Sequence, residues 1–359
     1  MREVAETREG DRRVVAGWLF ACCAVLALLV SVGGITRLTK SGLSIPNWRP
    51  VTGVLPPIGE AAWQEAFAEY RETPEYRIVN HAMTIDDFRG IFAWEYVHRL
   101  LARLLGVVFA VPLVIFTCRR SLPRATRGPL VVVLATMVLQ GAMGWLLVRS
   151  GLVAEPRVSH LRLAAHLGLA FLIFGALLWL GLGIARPRLA AAARRPSLTS
   201  WLAGGIVAAV FVQVLGGALM AGTHAGYLFP TFPRMAGELL PARLFALTPW
   251  PRSLLYDLVT IHFVHRVSGV AVAALALAQL AVSLARPAGR SRRRAALAVA
   301  GTALMAAGLG ITTVLTGVAT LPAAAHQSSA LLLFGCAIVS LHVATGGEAE
   351  VPSTHPVSR

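Results

Sequence analysis

The chain has 359 residues, of which 56% are hydrophobic and only 14% charged. A soluble globular protein carries about 25% charged residues, so this composition excludes one and places the chain in a bilayer. Its 33 basic and 17 acidic side chains give a formal charge of +16, which in a soluble protein would point to nucleic acid; the positions of the charges decide otherwise.

Crossing the hydrocarbon core as a helix takes about 20 apolar residues. Such runs occupy 14–36, 94–117, 129–149, 159–184, 199–222, 260–285, 295–317 and 323–345, and they predict an all-α integral membrane protein with eight transmembrane helices. The first run follows Arg12 and Arg13 but is too long for the apolar region of a cleaved signal peptide, so it reads as a retained span. The connections 118–128, 185–196 and 286–294 hold 13 arginines (Arg119, Arg120, Arg124, Arg127, Arg186, Arg188, Arg194, Arg195, Arg286, Arg290, Arg292, Arg293 and Arg294) and no acid. Short loops of this kind stay on the cytoplasmic side. Both tails, 1–13 and 346–359, are therefore expected in the cytoplasm, and the protein in the inner membrane. Segments 37–93, 150–158, 223–259 and 318–322 fall on the opposite side. Clusters flanking a membrane are not one continuous basic face, and a nucleic-acid partner drops out.

The long external segments are rich in aromatic residues and proline, with Trp48, Trp63, Tyr70, Tyr76, Tyr227, Phe229, Phe232 and Trp250. They are expected to cap the chambers beneath them, with an amphipathic helix over 60–72 lying on the membrane. Cys22, Cys23 and Cys336 lie inside spans and Cys118 at the cytoplasmic end of one, so all four read as packing residues and no disulfide framework is expected.

The chain repeats itself. Ala164-Ala165-His166 aligns with Ala324-Ala325-His326, Phe174-Gly175 with Phe334-Gly335, Val97-His98-Arg99 with Val264-His265-Arg266, and Gly33-Gly34 with Gly216-Gly217; Gln140-Gly141 matches Thr316-Gly317 more weakly. Four helices are thus used twice. The expected plan is two tandem four-helix bundles, 14–184 and 199–345, joined by a cytoplasmic linker over 185–198. Each half contains an even number of spans, so the halves share one orientation and a pseudo-two-fold axis along the membrane normal.

The duplication sorts the ten histidines. His98, His166, His265 and His326 recur in matched pairs, one on each even-numbered span and all near its external end. A histidine inside a span is costly and usually faces a bundle interior. Two neutral imidazoles on facing helices can ligate both axial positions of a haem iron, and repetition at matched positions favours that role over interhelical hydrogen bonding. Zinc needs three or four ligands at one centre, whereas these divide two and two. His160 is turned about 240° from His166 on an ideal helix, and His81, His342 and His355 fall in a loop, at a cytoplasmic helix end and in a tail. His224 borders the second external loop. Arg99, Arg162 and Arg266 lie beside the paired histidines, where they either snorkel to the interface or clamp carboxylates such as haem propionates; the sequence leaves both readings open.

The halves differ three residues before their first histidine, with Glu95 in one and His262 in the other. An i, i+3 pair shares a helix face, so Glu95 and His98 are expected to look into one space. A carboxyl group there can exchange protons, orient a neighbouring ligand, or serve as an interfacial residue. The chemical role is favoured, which makes the N-terminal half the reactive one and His262 a support for a neighbouring ligand.

These residues together resemble the haem A synthase family of the proteobacterial and mitochondrial type. The most specific segments are Gly33 through Thr39 with Ser41 through Ser44, Phe92 through Arg99, Arg162 through Leu167, Gly216 through Gly226, Ile261 through Arg266, and Ala325-His326-Gln327. The resemblance covers about 14–345 and implies a membrane oxidoreductase that converts the C8 methyl of haem O to the formyl of haem A by successive hydroxylations, for cytochrome oxidase assembly. It implies that His98 and His166 face the iron of haem O, that His265 and His326 ligate a haem b that passes electrons, and that Glu95 is the catalytic acid. Delivery of haem O by haem O synthase, an electron donor that is either a quinol or a soluble reductant, and a homo-oligomer are further expectations. Some relatives have paired external cysteines, which this chain lacks. Two other classes share the histidine pattern: a di-haem quinol-oxidising carrier, and a haem or solute transporter.

Overall fold

A computed structural model of the protein describes residues 9–49, 52–153, 155–185, 197–285 and 289–346. Most of the 185–198 linker, the ends of both tails, Arg186, Arg188, Arg194, Arg195, Arg286 and His355 lie outside the described residues. The elements in chain order are α1 (Glu9–Leu38), α2 (Glu60–Arg71), α3 (Pro74–Ile78), α4 (Ile85–Cys118), α5 (Arg124–Ser150), α6 (His160–Ala185), α7 (Leu198–Thr223), α8 (Ser253–Tyr256), α9 (Leu258–Ala285), α10 (Arg290–Leu315) and α11 (Thr320–Thr345), with short 3₁₀ turns in the two long loops. Eight of these, α1, α4, α5, α6, α7, α9, α10 and α11, are long and apolar enough to cross a membrane. Each matches one of the expected spans, with residue 159 just outside α6 and residues 316–317 just beyond α10, and the protein is a multi-pass membrane protein.

The largest boundary difference is at α4, which begins nine residues before the apolar run at 94. Thr84 starts it with a capping box, its side chain accepting from the Asp87 backbone while the Asp87 carboxylate accepts from the Thr84 N–H. Such reciprocal capping satisfies two orphan N–H groups at once, and hydrophobicity alone does not register it. The extension carries Phe88 and Phe92, onto which Trp63, Phe67 and Tyr70 pack from the loop; the Tyr70 and Phe88 rings stack with centroids 5.2 Å apart. The expected helix over 60–72 therefore exists as α2, but it turns its aromatic face onto α4 instead of the lipid. Aromatic burial against a partner helix outcompetes an interfacial position that leaves the same rings half wet.

The buried core lies where α1, α6, α7 and α11 meet, with Leu19, Leu26, Phe171, Leu177, Ile206, Val210, Leu331 and Phe334 at its centre. Within the N-terminal half α1 touches α4 and α6, and α5 touches α6; within the C-terminal half α7 touches α9 and α11, and α10 touches α11. The two halves meet through α1 with α11, α6 with α7, and α6 with α11. At the last of these contacts the matched residues exchange places. A Cβ added at Gly175 would lie 3.2 Å from Phe334 Cε1, and one at Gly335 would lie 3.4 Å from Phe174 Cε1. Without a hydrophobic drive between helices in lipid, such close small-residue packing and a few polar ties hold the seam. The ties include the Ser31 and Ser328 hydroxyls at 2.9 Å and Gln327 Nε2 donating to the Val30 carbonyl at 2.7 Å. One neighbour relation is not repeated: α9 and α10 pack closely, whereas α4 and α5 touch sparsely, leaving the N-terminal bundle the more open.

Candidate functional site

Each of the four paired histidines lies against a glycine of an adjacent helix. A Cβ at Gly33 of α1 would stand 2.8 Å from His98 Cε1, at Gly144 of α5 3.1 Å from His166 Cε1, at Gly217 of α7 3.2 Å from His265 Cε1, and at Gly310 of α10 2.9 Å from His326 Cε1. In interiors packed like organic crystals, approaches this short admit only glycine unless the ring moves. Glycine is thus what lets each imidazole approach the neighbouring backbone.

One helical turn before each of these glycines stands a polar group close to the ring. His326 Nδ1 donates to the Ala306 carbonyl at 2.9 Å, which leaves Nε2 with the lone pair a metal ligand needs. The Leu29 carbonyl holds the same place beside His98, outside hydrogen-bond geometry. In the other two seats a glutamine replaces the carbonyl. Gln140 Nε2 donates to the His166 carbonyl at 3.0 Å and lies 3.4 Å from its ring; Gln213 Nε2 donates to the His265 carbonyl at 2.9 Å and lies 3.2 Å from Nδ1.

Two observations test these residues against a haem. The rings of His265 and His326 have centroids 6.3 Å apart at an interplanar angle of 86°, and metal–imidazole bonds of about 2 Å on opposite sides of one iron would set ring centres about 6 Å apart. Nδ1 of both His98 and His166 is buried without a hydrogen-bond partner, a costly state for a polar atom. The spacing of His265 and His326 fits a group that takes two imidazoles, and the unmet nitrogens of His98 and His166 leave those rings open to a ligand. Among the described residues no three His, Cys, Asp or Glu side chains converge to hold a metal ion.

Glu95 is 3% exposed and is not an isolated carboxyl. Its Oε2 accepts from the Ser44 hydroxyl at 2.7 Å and the Ile45 N–H at 2.9 Å, and its Oε1 accepts from Arg99 Nε at 3.1 Å and Nη2 at 2.6 Å. Arg99 also donates to the carbonyls of Ile45 and Asn47, at 2.5 and 3.0 Å. Together the two residues staple the loop after α1 onto α4. The Ser41 N–H donating to the Thr36 carbonyl at 2.8 Å closes the end of α1, and the tight turn Ser41–Ser44 that presents Ser44 is closed by the Ser44 N–H donating to the Ser41 carbonyl at 3.3 Å.

The other sequence candidates separate. Arg162 Nη1 donates to the Leu146 carbonyl near the end of α5 at 2.7 Å. Arg266 Nη2 donates to the Phe229 carbonyl at 2.8 Å, while its Nε and Nη1 are buried without partners. His262 is fully buried beside Phe229, with ring centroids 5.7 Å apart. His160 packs edge-on to Tyr256 and against Gly222, away from His166. His224 caps α7 in a left-handed conformation and stacks on Tyr227, and His342 meets the Trp179 ring. The sequence reading passed over Gln213, Gly144 and Gly310 and gave Ser44 no role. For the first three the available signal was a glutamine or glycine at matching one-turn spacing inside an apolar span.

The chain is similar to known proteins along most of its length. The COX15-CtaA family, described as cytochrome oxidase assembly protein, matches residues 16–338. A heme A synthase of Nitrosomonas eutropha is 41% identical over 335 residues, covering 90% of this chain and 92% of its own. Heme A synthases of Rhodospirillum centenum and Methylobacterium sp. are 42% and 43% identical, covering 92% and 93% of this chain and 88% and 93% of their own. Similarity of this extent spans both halves and every residue of the site, and the chain belongs to the COX15-CtaA family of cytochrome oxidase assembly proteins.

Proposed function

We propose that the protein is a haem A synthase, a membrane oxidoreductase that converts the C8 methyl group of haem O to a formyl group and so supplies haem A for cytochrome oxidase assembly. The observation that carries this reading is the pair of two-imidazole seats, each imidazole set against a glycine, of which, among the described residues, only the N-terminal one has a buried carboxylate beside it. In this reading the N-terminal half, 14–184, takes haem O between His98 and His166, and the C-terminal half, 199–345, holds a haem b on His265 and His326. The bound haem b would supply electrons to the substrate side. The sparse contact between α4 and α5 supports the N-terminal half as the one that admits and releases a bulky substrate, while the closer α9–α10 packing suits a resident group.

The protein's own residues have separable tasks. His98 and His166 would hold the macrocycle of haem O with its methyl group toward the Glu95 side of the chamber. Glu95, held by Ser44, Ile45 and Arg99, is the group that moves a proton at the reacting carbon's oxygen as the methyl becomes an alcohol, then a gem-diol, and finally an aldehyde with loss of water; with electrons arriving from the donor, each hydroxylation would consume one dioxygen, two electrons and two protons and release one water. Of the three arginines considered for haem carboxylates, Arg266 has free donors, Arg162 has one nitrogen committed to a carbonyl, and Arg99 is committed to Glu95. We further place the protein in the inner membrane with both termini cytoplasmic, the halves related by a two-fold axis along the membrane normal, haem O delivered by haem O synthase, electrons arriving from a quinol or a soluble reductant, and self-association as the form in the membrane.

The test is pigment extraction from cells expressing the protein with and without a haem O supply. Haem A is expected only when both protein and haem O are present. Its absence despite an intact C-terminal haem and a competent reductant would leave the protein a di-haem electron carrier; haem A formed equally without the protein would remove the enzyme reading altogether.

A further inference from the structure

The exchange of Glu95 for His262 between the halves alters the partner of the arginine one turn later. In the N-terminal half Arg99 directs Nε and Nη2 at the Glu95 carboxylate, an ion pair closed on itself. In the C-terminal half Arg266 occupies the matching position, and among the described residues it forms no ion pair. Its Nη2 reaches the Phe229 carbonyl and its guanidinium lies 6.0 Å from the centre of the Phe232 ring. Nε and Nη1 are buried and unpartnered. Guanidinium donors shut off from solvent are costly unless an acceptor meets them, and an anion meets them best.

His262 occupies the place of the missing acid. It is fully buried, and both ring nitrogens lack a hydrogen-bond partner; the Ala225 backbone lies beside the ring but outside hydrogen-bond geometry. Residues 262 and 266 are four apart on α9, hence on one face, and that face begins three residues before His265. Replacing a carboxylate by an imidazole at this point removes the internal anion and adds a neutral N–H donor, so the site changes from a closed ion pair to an open anion cradle.

We propose that His262 and Arg266 form a carboxylate-binding site that takes a propionate of the haem held by His265 and His326. The inference rests on the assignment of a haem to the C-terminal half. Its ligand chemistry is specific: a carboxylate takes a charge-assisted hydrogen bond from one of the open guanidinium donors, Nε–H or Nη1–H, which face different sides of the group, and the imidazole N–H supplies a second. The N-terminal half, with Arg99 already engaged, has no equivalent site on α4.

The test uses full-length apoprotein in a His98→Ala background, which confines haem to the C-terminal half, titrated separately with haem b and with its dimethyl ester. The wild-type cradle is expected to bind the free acid at least tenfold more tightly than the ester. In His262→Leu, in Arg266→Gln, and in His262→Glu, which returns to Arg266 the internal partner that Arg99 has, the preference should fall at least fivefold while the two-imidazole optical spectrum is kept. Equal affinity of the unmutated cradle for acid and ester, which requires no variant to fold, would overturn the proposal, as would full acid preference in both His262→Leu and Arg266→Gln. Failure of the underlying haem assignment looks different: His265→Ala would then leave the two-imidazole spectrum unchanged.

Discussion

The Glu95 carboxylate and the Arg99 guanidinium, one helical turn apart on α4, form an ion pair at 2.6 Å with both side chains withdrawn from solvent. Every other ion pair among the described residues has a substantially exposed partner, and pairs of that kind contribute little to stability. A buried pair is a different case, because removing one member leaves an uncompensated charge. Its retention at the loop face, beside His98, is what marks the N-terminal chamber as the one that differs.

Glu95→Gln keeps the side-chain shape and the acceptor for Ser44 but removes the proton-transferring group. Conversion of haem O to haem A should fall by about 10²-fold or more, the usual worth of a positioned acid or base, while the optical spectrum of the C-terminal haem stays as in the wild type. Extracted haems quantified by chromatography read the first effect and difference spectra the second; full conversion by Glu95→Gln would refute the catalytic role.

Gly310→Ala places a methyl group 2.9 Å from His326 Cε1, and Gly33→Ala places one 2.8 Å from His98 Cε1. Both rings have to move. Gly310→Ala should lower the haem content of the purified protein several-fold and shift its spectrum, and Gly33→Ala should lower haem A production with the C-terminal spectrum intact. Gly183→Ala, which meets nothing within 4 Å, is the control and should change neither.

Glu75 lies in the external cap, buried, with the Tyr70 hydroxyl donating to it at 3.2 Å and Asn80 in turn donating to Tyr70 at 2.7 Å. Burial pushes its pKa up from 4.5 to about 7; the Tyr70 hydrogen bond opposes this, the Glu95 charge adds to it and Lys40 opposes it. The folded cap therefore holds a proton that the unfolded chain releases above pH 4.5. Stability from this group is complete below that pH and declines through pH 7, by about 3 kcal/mol in all. Limited proteolysis of the 39–84 loop should be slower at pH 5 than at pH 8, and Glu75→Gln should flatten that difference. An unchanged pH profile in Glu75→Gln would show that another group carries it.

The seam predicts a graded response. At Gly175 an added Cβ meets Ile338 at 3.1 Å and Phe334 at 3.2 Å, whereas at Gly335 the nearest contact is Phe174 at 3.4 Å. Valine at either position overpacks the junction of α6 and α11, at a cost of about 1–3 kcal/mol, and Gly175→Val should lower the thermal midpoint in detergent more than Gly335→Val. The reverse order would mean that the exchanged contacts do not bear on the seam as described.

Much of this was legible in the residues alone, for reasons that are local. Apolar runs of membrane-crossing length identify all eight spanning helices, because a backbone in hydrocarbon has to satisfy its own hydrogen bonds. The matched segments around His98 and His265, and around His166 and His326, reveal the duplication and sort ten histidines into two pairs and a remainder. The Glu95 and His262 asymmetry likewise stands in the sequence. What the sequence left open was partnership. Whether Arg99 snorkels, clamps a ligand or neutralises Glu95 depends on where the loop after α1 returns, and that loop, through Ser44 and Ile45, resolves it. The early start of α4 follows from the Thr84 capping box and from aromatic packing against α2, both invisible to a hydropathy window. The glycine seats beneath the four imidazoles pair residues from different helices. Periodicity along one chain fixes which face a residue occupies; only the packing of neighbouring helices fixes what that face meets, and here it decided which arginine is closed and which is open.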